Sequence, residues 1–362
     1  MKKISLYSIL TLIIFLSGFE YCLSQSSKCI PFNDSLNFET LTEFEDRIAQ
    51  SKLILIGEAP HRMPANYLLQ SKFAIYLNKK IGIKYILIEH GQSEAYMLNK
   101  YLKFGNAELL DKTYLKLLGL KEGLDAINDI YEYNNGSNKI GYYGVDFERE
   151  PALTSSILFF LEDFRDNSLV KPFIEKIQIR YDTIGKDLDP KNFIYFLRQE
   201  MSKYESLFAK SEDWDTIKEI IFNDNFYTNF YERDKYMVKK INKLYIDYGC
   251  LFGSFGTMHT QKDVKNVLAG LLINKFGKDN VLTINMHHFD SKYLDGSEIT
   301  SSFLNDYGMF KRKEIKLFEE YFYSLRECNV FICEIPKSKS YLKLNLKCDY
   351  LICLFNQQGT HL

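Results

Sequence analysis

Five short apolar runs in this chain each lead directly into a carboxylate or an imidazole. Leu53-Ile54-Leu55-Ile56 runs into Gly57-Glu58-Ala59-Pro60-His61, and Tyr85-Ile86-Leu87-Ile88 into Glu89-His90. Ile140-Gly141-Tyr142-Tyr143-Gly144-Val145 precedes Asp146, and Leu251-Phe252-Gly253-Ser254-Phe255 precedes Gly256-Thr257-Met258-His259. Val281-Leu282-Thr283-Ile284-Asn285-Met286 precedes His287-His288. A short run with little polar alternation reads as a strand buried on both faces, which is what a helix-covered parallel sheet requires. In such a sheet the carboxyl ends share one edge, and open α/β folds bind their ligands there. The expectation is therefore an α/β fold, with a mostly parallel central sheet flanked by helices. Five of the six histidines would converge on that edge, while His361 stands one residue from the end and reads as a tail residue.

The 362 residues are enough for one large domain or two modest ones, and 46% hydrophobic content is enough for a core. The 46 basic and 47 acidic side chains leave a formal net charge of −1. That balance argues against nucleic acid or an anionic membrane as a partner. Lys2 and Lys3 followed by the mostly apolar stretch Ile4 to Leu16 read as an export signal, with Cys22 and Ser24 as the small residues at a cleavage site. Residues 1–24 are thus expected to be removed. The mature chain would begin at Gln25, without a membrane span, in the periplasm or outside the cell. Six cysteines would remain: Cys29, Cys250, Cys328, Cys333, Cys348 and Cys353. Cys328/Cys333 and Cys348/Cys353 are i, i+5 pairs in strand-like runs, so each pair points to opposite faces and makes no metal clip. Buried free thiols are expected, with a disulfide between the two strands as the alternative.

Several segments can be placed from pattern alone. Residues 25–50 read as a lead-in ending in a helix near Leu41 to Ala49. Pro64 suits the first turn of a helix whose Leu69, Phe73, Leu77 and Ile81 form one apolar face. Two or three helices fill residues 93–135, and Asn134-Asn135-Gly136-Ser137-Asn138 reads as a turn. Residues 152–248 lack strand-like runs and read as a helical insertion over the cleft. A helix is expected over 261–276, and further strands over 329–335 and 349–355. Residues 25–362 would form one domain.

Glu58 and His61 are the strongest chemical pair. An imidazole titrates near neutrality and can take a proton from water or a hydroxyl. A carboxylate on its other nitrogen fixes the tautomer and supports the imidazolium. Glu89, Asp146 and His259 end neighbouring strands and are expected at the same cleft, with one of His287 and His288 beside them. The chain carries no Gly-x-Ser-x-Gly nucleophile elbow and no phosphate-cradling Gly-x-x-x-x-Gly-Lys loop.

Ile56-Gly57-Glu58-Ala59-Pro60-His61, Ile86-Leu87-Ile88-Glu89, Tyr143-Gly144-Val145-Asp146, Arg233-Asp234-Lys235-Tyr236-Met237 and Gly256-Thr257-Met258-His259 resemble, in order, the motifs of the erythromycin esterase family. The wider superfamily includes ChaN-like haem-uptake proteins and TraB/Tiki-type metalloproteases. The resemblance spans roughly residues 50 to 290. It implies an α/β core with helical lobes around a deep cleft, and metal-independent lactone hydrolysis by a histidine-activated water. By motif position that histidine is His61, with Glu58, Glu89 and His259 in the site. The family usually reads Gly-Glu-Ala-Thr-His-Gly; here Pro60 replaces the Thr and Arg62 the Gly. The family's site arginine in the next helix corresponds to Gln70, and Arg62 or Arg233 would supply the positive charge instead.

The reading that follows is an exported hydrolase of an ester or lactone in a small-molecule substrate, with no cofactor. His61, Glu58, Glu89 and His259 would be catalytic, and Arg62, Asp146, Arg233 and His288 would contact the substrate. One alternative is a metal-dependent hydrolase with the same four groups on a divalent cation. Another is a binding protein for haem or another cofactor, with His61 or Tyr142 near the iron.

Overall fold

The computed structural model describes residues 27–30, 38, 42–59, 61, 63–111, 113, 121–136, 139–183, 190–223, 226, 229–292, 298–301, 330–334 and 348–355. In chain order the elements begin with β1 (Ser27–Ile30), α1 (Thr42–Gln50), β2 (Leu53–Ala59) and α2 (Pro64–Ile81). Next come β3 (Tyr85–Ile88), α3 (Gln92–Phe104), α4 (Lys121–Tyr133) and β4 (Gly141–Gly144). Six helices follow: α5 (Ala152–Glu162), α6 (Lys171–Asp182), α7 (Pro190–Ser202), α8 (Glu205–Phe208), α9 (Trp214–Ile221) and α10 (Phe230–Tyr248). The remainder is β5 (Leu251–Gly256), α11 (Leu268–Phe276), β6 (Val281–Lys292), β7 (Glu298–Ser301), β8 (Val330–Glu334) and β9 (Tyr350–Phe355). This is an α/β fold with mostly parallel strands and flanking helices, as the apolar runs predict.

The chain divides into two compact units, Met1–Asn66 with Gly256–Gly359, and Tyr67–Phe255 with Thr360–Leu362. In the first unit β2, β6 and β9 run parallel, with Leu53 opposite Val281 and Ile284 opposite Tyr350. Strand β8 joins β9 antiparallel, β1 joins β8 antiparallel, and β7 folds back antiparallel on β6. Leu53, Ile54, Leu55 and Ile56 are all fully buried. Burial on both faces is the reason the run carries no polar alternation; each such side chain contributes about 1.5–3 kcal/mol. Helix α11 packs on β6.

In the second unit β3 lies between β4 and β5, parallel to both. Helix α2 starts at Pro64, and its Leu69, Phe73 and Leu77 are fully buried. Phe73 meets Phe252 of β5 edge to face, with ring centroids 5.5 Å apart. Helix α3 lies along β4, and its N-terminus is capped from a distance. The Glu148 carboxylate accepts from the backbone N–H groups of Gln92 (2.9 Å) and Ser93 (3.0 Å). These are donors a helix leaves unpaired, and a carboxylate also suits the positive end of the dipole. Among the later helices, Phe160, Phe208 and Trp214 form one buried ring cluster. Phe193 is buried too, whereas Phe222 is 60% exposed.

Four boundaries differ from the pattern reading. Strand β2 continues through Ala59, because Glu58 and Ala59 pair with Met286 and His287 and the Glu58 carbonyl accepts from Thr257 N–H (3.0 Å). Strand β6 does not stop before the histidines but carries them on to Lys292, held by β9 and the β7 hairpin. Strand β1 lies inside the expected lead-in. Residues 257–267 form turns ahead of α11, closed by His259 N–H to the Gly256 carbonyl and Thr260 N–H to the Thr257 carbonyl. Cys250 and Cys348 are free thiols, and burial pushes Cys348 up to about 12. The side chains of Cys29, Cys328 and Cys333, and the export-signal residues, lie outside the described residues.

Candidate active site

In the first unit, Glu58 sits near the end of β2 and His61 just beyond it. Glu58 Oε1 lies 2.8 Å from His61 Nδ1. A carboxylate can only accept, so Nδ1 carries the hydrogen and Nε2, on the opposite edge of the ring, is the basic nitrogen. The His61 side chain is 62% exposed and that of Glu58 12%. A nearly buried acid thus orients an open imidazole, the arrangement a general base needs.

The backbone beside this pair is tightly packed. A Cβ on Gly57 would fall 2.1 Å from Thr260 Oγ1, 2.8 Å from Asn285 Oδ1 and 3.1 Å from the Thr257 Cα. Glycine therefore lets the turn after β5 rest directly on β2. Thr260 Oγ1 donates to Asn285 Oδ1 (2.8 Å), locking that turn to β6. The same turn carries His259, buried at 2% exposure, whose carbonyl accepts from Ala269 N–H (2.9 Å). His287 and His288 are fully buried in β6, and His288 Nε2 donates to Asn66 Oδ1 (2.7 Å) at the start of α2. Burial lowers both imidazoles to about 3, so both are neutral near pH 7.

The second unit holds a different cluster. Arg233 of α10 donates through Nε to both oxygens of Asp146 (3.1 and 3.0 Å), and through Nη2 to Asp146 Oδ2 and Glu89 Oε1. Arg149 adds a second cation 3.4 Å from Asp146 Oδ2. Asp146 is fully buried, and desolvation raises its carboxyl above the ordinary range although Arg233 opposes the shift. Asn223 ties the cluster to the helix cap by donating to the Asp146 carbonyl (3.0 Å) and to Glu148 Oε1 (2.8 Å).

The structure thus joins Glu58 to His61, sets the His259 turn on their strand, and joins Glu89 to Asp146 through Arg233. Of the residues expected to contact substrate, Asp146, Arg233 and His288 are all buried. Asp146 is clamped and fully buried, Arg233 is spent on two carboxylates, and His288 lies inside a strand rather than after one. Burial of neighbouring strands and helices, invisible in the run pattern, is the cause. Arg62 lies outside the described residues. Thr260, Asn285, Asn66, Glu148 and Asn223 were not singled out from the sequence. Of these, only Asn285, an amide set in the mostly apolar run before His287, carries a signal that pattern could have flagged. Among the described residues no group of three or more His, Cys, Asp or Glu side chains converges as a metal site would require. Among the same residues no helix is long and apolar enough to cross a membrane.

No family profile matches the chain, and no curated protein does either. Solved structures do match. A Bacillus cereus protein from a structural-genomics programme aligns over 96% of this chain and 98% of its own, with 15% identity and a TM-score of 0.61. A succinoglycan biosynthesis protein aligns over 95% and 98%, with 15% identity and a TM-score of 0.62. The erythromycin esterase EreC, in an open conformation, aligns over 93% and 98%, with 13% identity and a TM-score of 0.57. At these identities the likeness shows the fold alone.

Proposed function

We propose that this protein is a hydrolase of ester or lactone bonds, with His61 as the general base toward water. The observation that carries the reading is the 2.8 Å contact between Glu58 Oε1 and His61 Nδ1, with the ring open to solvent. In the reaction, His61 Nε2 takes a proton from a water molecule, and the hydroxyl attacks the carbonyl carbon. The tetrahedral intermediate then breaks its C–O bond, and the imidazolium returns the proton to the departing alkoxide. Glu58 offsets the charge of the imidazolium and holds the ring. The likeness of fold to an erythromycin esterase supports the choice of an ester-type bond.

Purified protein should be screened against aryl esters, small lactones and a macrolide lactone. His61→Ala should lower turnover by roughly 100-fold or more without shifting the melting temperature, because the ring is exposed. Glu58→Gln keeps the shape and removes the charge, so kcat should fall more than KM rises. Glu89→Gln, made separately, asks whether the carboxylate held by Arg233 also serves turnover. Retention of activity in His61→Ala would overturn the reading. Loss on chelation, with recovery on adding a divalent cation, would replace it with metal-dependent hydrolysis. We further propose that the protein is exported, a reading supported by the basic and apolar N-terminal sequence. Sequencing of the mature terminus should then begin near Gln25.

A further inference from the structure

The second unit contains a cavity of about 380 Å³, within the roughly 300–1,000 Å³ range of small-ligand pockets. It lies against β4, the outer strand of this unit, between α3 and the segment running into α9. The lining that matters is Tyr96, Asn99 and Lys100 on one side, and Asp213, Thr216 and Glu219 on the other.

Two features decide what this cavity can hold. The first is that its strand edge is already taken. Asn99 Nδ2 donates to the Tyr142 carbonyl (2.8 Å), and Tyr142 N–H donates to Asn99 Oδ1 (2.7 Å). An extended peptide therefore cannot add to β4 there. The second is charge. Each lining carboxylate meets a lysine: Asp213 meets Lys100 (2.5 Å), Glu219 meets Lys243 (2.6 Å), and Glu212 meets Lys103. No surplus charge is left for an ionic ligand, and an apolar ligand would leave polar groups dry.

Unused hydrogen-bonding capacity remains. Tyr96 and Lys100 both donate to Asp213 Oδ2, and Asp213 Oδ1 meets no partner among the described residues. The Thr216 hydroxyl likewise makes no bond among them. Glu219 accepts from Tyr143 (2.9 Å), so a tyrosine hydroxyl fixes each of these two carboxylates. Lys100 is itself nearly buried, packed 5.2 Å from the Tyr96 ring centroid, so it holds Asp213 in one orientation. We infer that this cavity binds a neutral, hydroxyl-rich ligand the size of one sugar ring, with Asp213 Oδ1 and the Thr216 hydroxyl as its main polar contacts.

The full chain should be titrated by calorimetry with D-glucose, D-galactose and D-mannose, and with the charged analogues D-glucosamine and D-glucuronate. At least one neutral hexose should bind with a Kd of about 1 mM or tighter. Both charged analogues should bind several-fold more weakly. Asp213→Asn should weaken hexose binding about tenfold, as expected for a lost bond to a charged acceptor. That variant also disturbs the Lys100 ion pair, so Thr216→Val, which leaves the pair intact, should weaken binding as well. The inference is overturned if no neutral hexose binds at concentrations on the order of tens of millimolar. It is equally overturned if a charged analogue binds better, or if Thr216→Val binds unchanged. None of these residues belongs to the Glu58–His61 pair, so the outcome is independent of the hydrolase reading.

Discussion

Arg233→Met should cost about 3–5 kcal/mol of stability at pH 7, the usual penalty for leaving a buried charge without its partner. Asp146 is fully buried, and Arg233 supplies three of the contacts that compensate it. The remaining cation, Arg149, reaches it only at 3.4 Å and is 38% exposed, so it replaces little. Methionine fills most of the volume of the arginine stem, which confines the effect to charge and hydrogen bonds. At roughly 2–4 °C per kcal/mol for a unit of this size, the melting temperature should fall by about 6–20 °C.

The pH dependence has a definite sign. Burial raises the folded Asp146 carboxyl above its ordinary value of 3.8, and removing Arg233 raises it further. A raised folded value gives a contribution that is full below the unfolded value and lost as pH rises through the folded one. The difference between variant and wild type is therefore largest near neutrality and shrinks in acid. Urea unfolding at pH 7 and at about pH 5 measures both quantities. Adding Asp146→Asn to Arg233→Met removes the orphaned charge and should recover part of the loss at pH 7. A single variant within about 1 kcal/mol of wild type at pH 7 would refute this account of the clamp, as would a loss that does not shrink in acid.

Two further outcomes follow from the first unit. Gly57→Ala must push aside the Thr260 hydroxyl, which lies 2.1 Å from the added Cβ, and should cost about 1–3 kcal/mol by thermal melting. His287 and His288, lowered to about 3 by burial, contribute stability that is full above the ordinary value of 6.5 and lost as pH falls toward 3. An acid titration followed by circular dichroism should show this, and His288→Gln should flatten the limb.

Much of the α/β core is legible in the chain itself. Strands buried on both faces leave uninterrupted apolar runs, and Leu53–Ile56, Tyr85–Ile88 and Val281–Met286 coincide with the start of β2, the whole of β3 and the start of β6. The apolar face of α2 is equally plain, because Leu69, Phe73 and Leu77 repeat at helical spacing. The Glu58–His61 contact was legible for the same local reason. Only three positions separate the two residues, so the end of β2 brings their side chains together with little help from the rest of the fold.

What the chain could not display depends on partners distant in sequence. Nothing local marks His287 and His288 as strand residues; pairing with β9 and β7 carries β6 past them and buries both. Asp146 reads locally as one more polar group at a strand end. Only α10, arriving from 87 residues away, turns it into the buried anchor of Arg233. Glu148 likewise becomes a helix cap only because it folds back 56 residues onto Gln92. Periodicity and run length record whether a side chain is buried. They do not record which charge, hydroxyl or amide will meet it there, because that choice is made by chain segments brought together only in the tertiary fold.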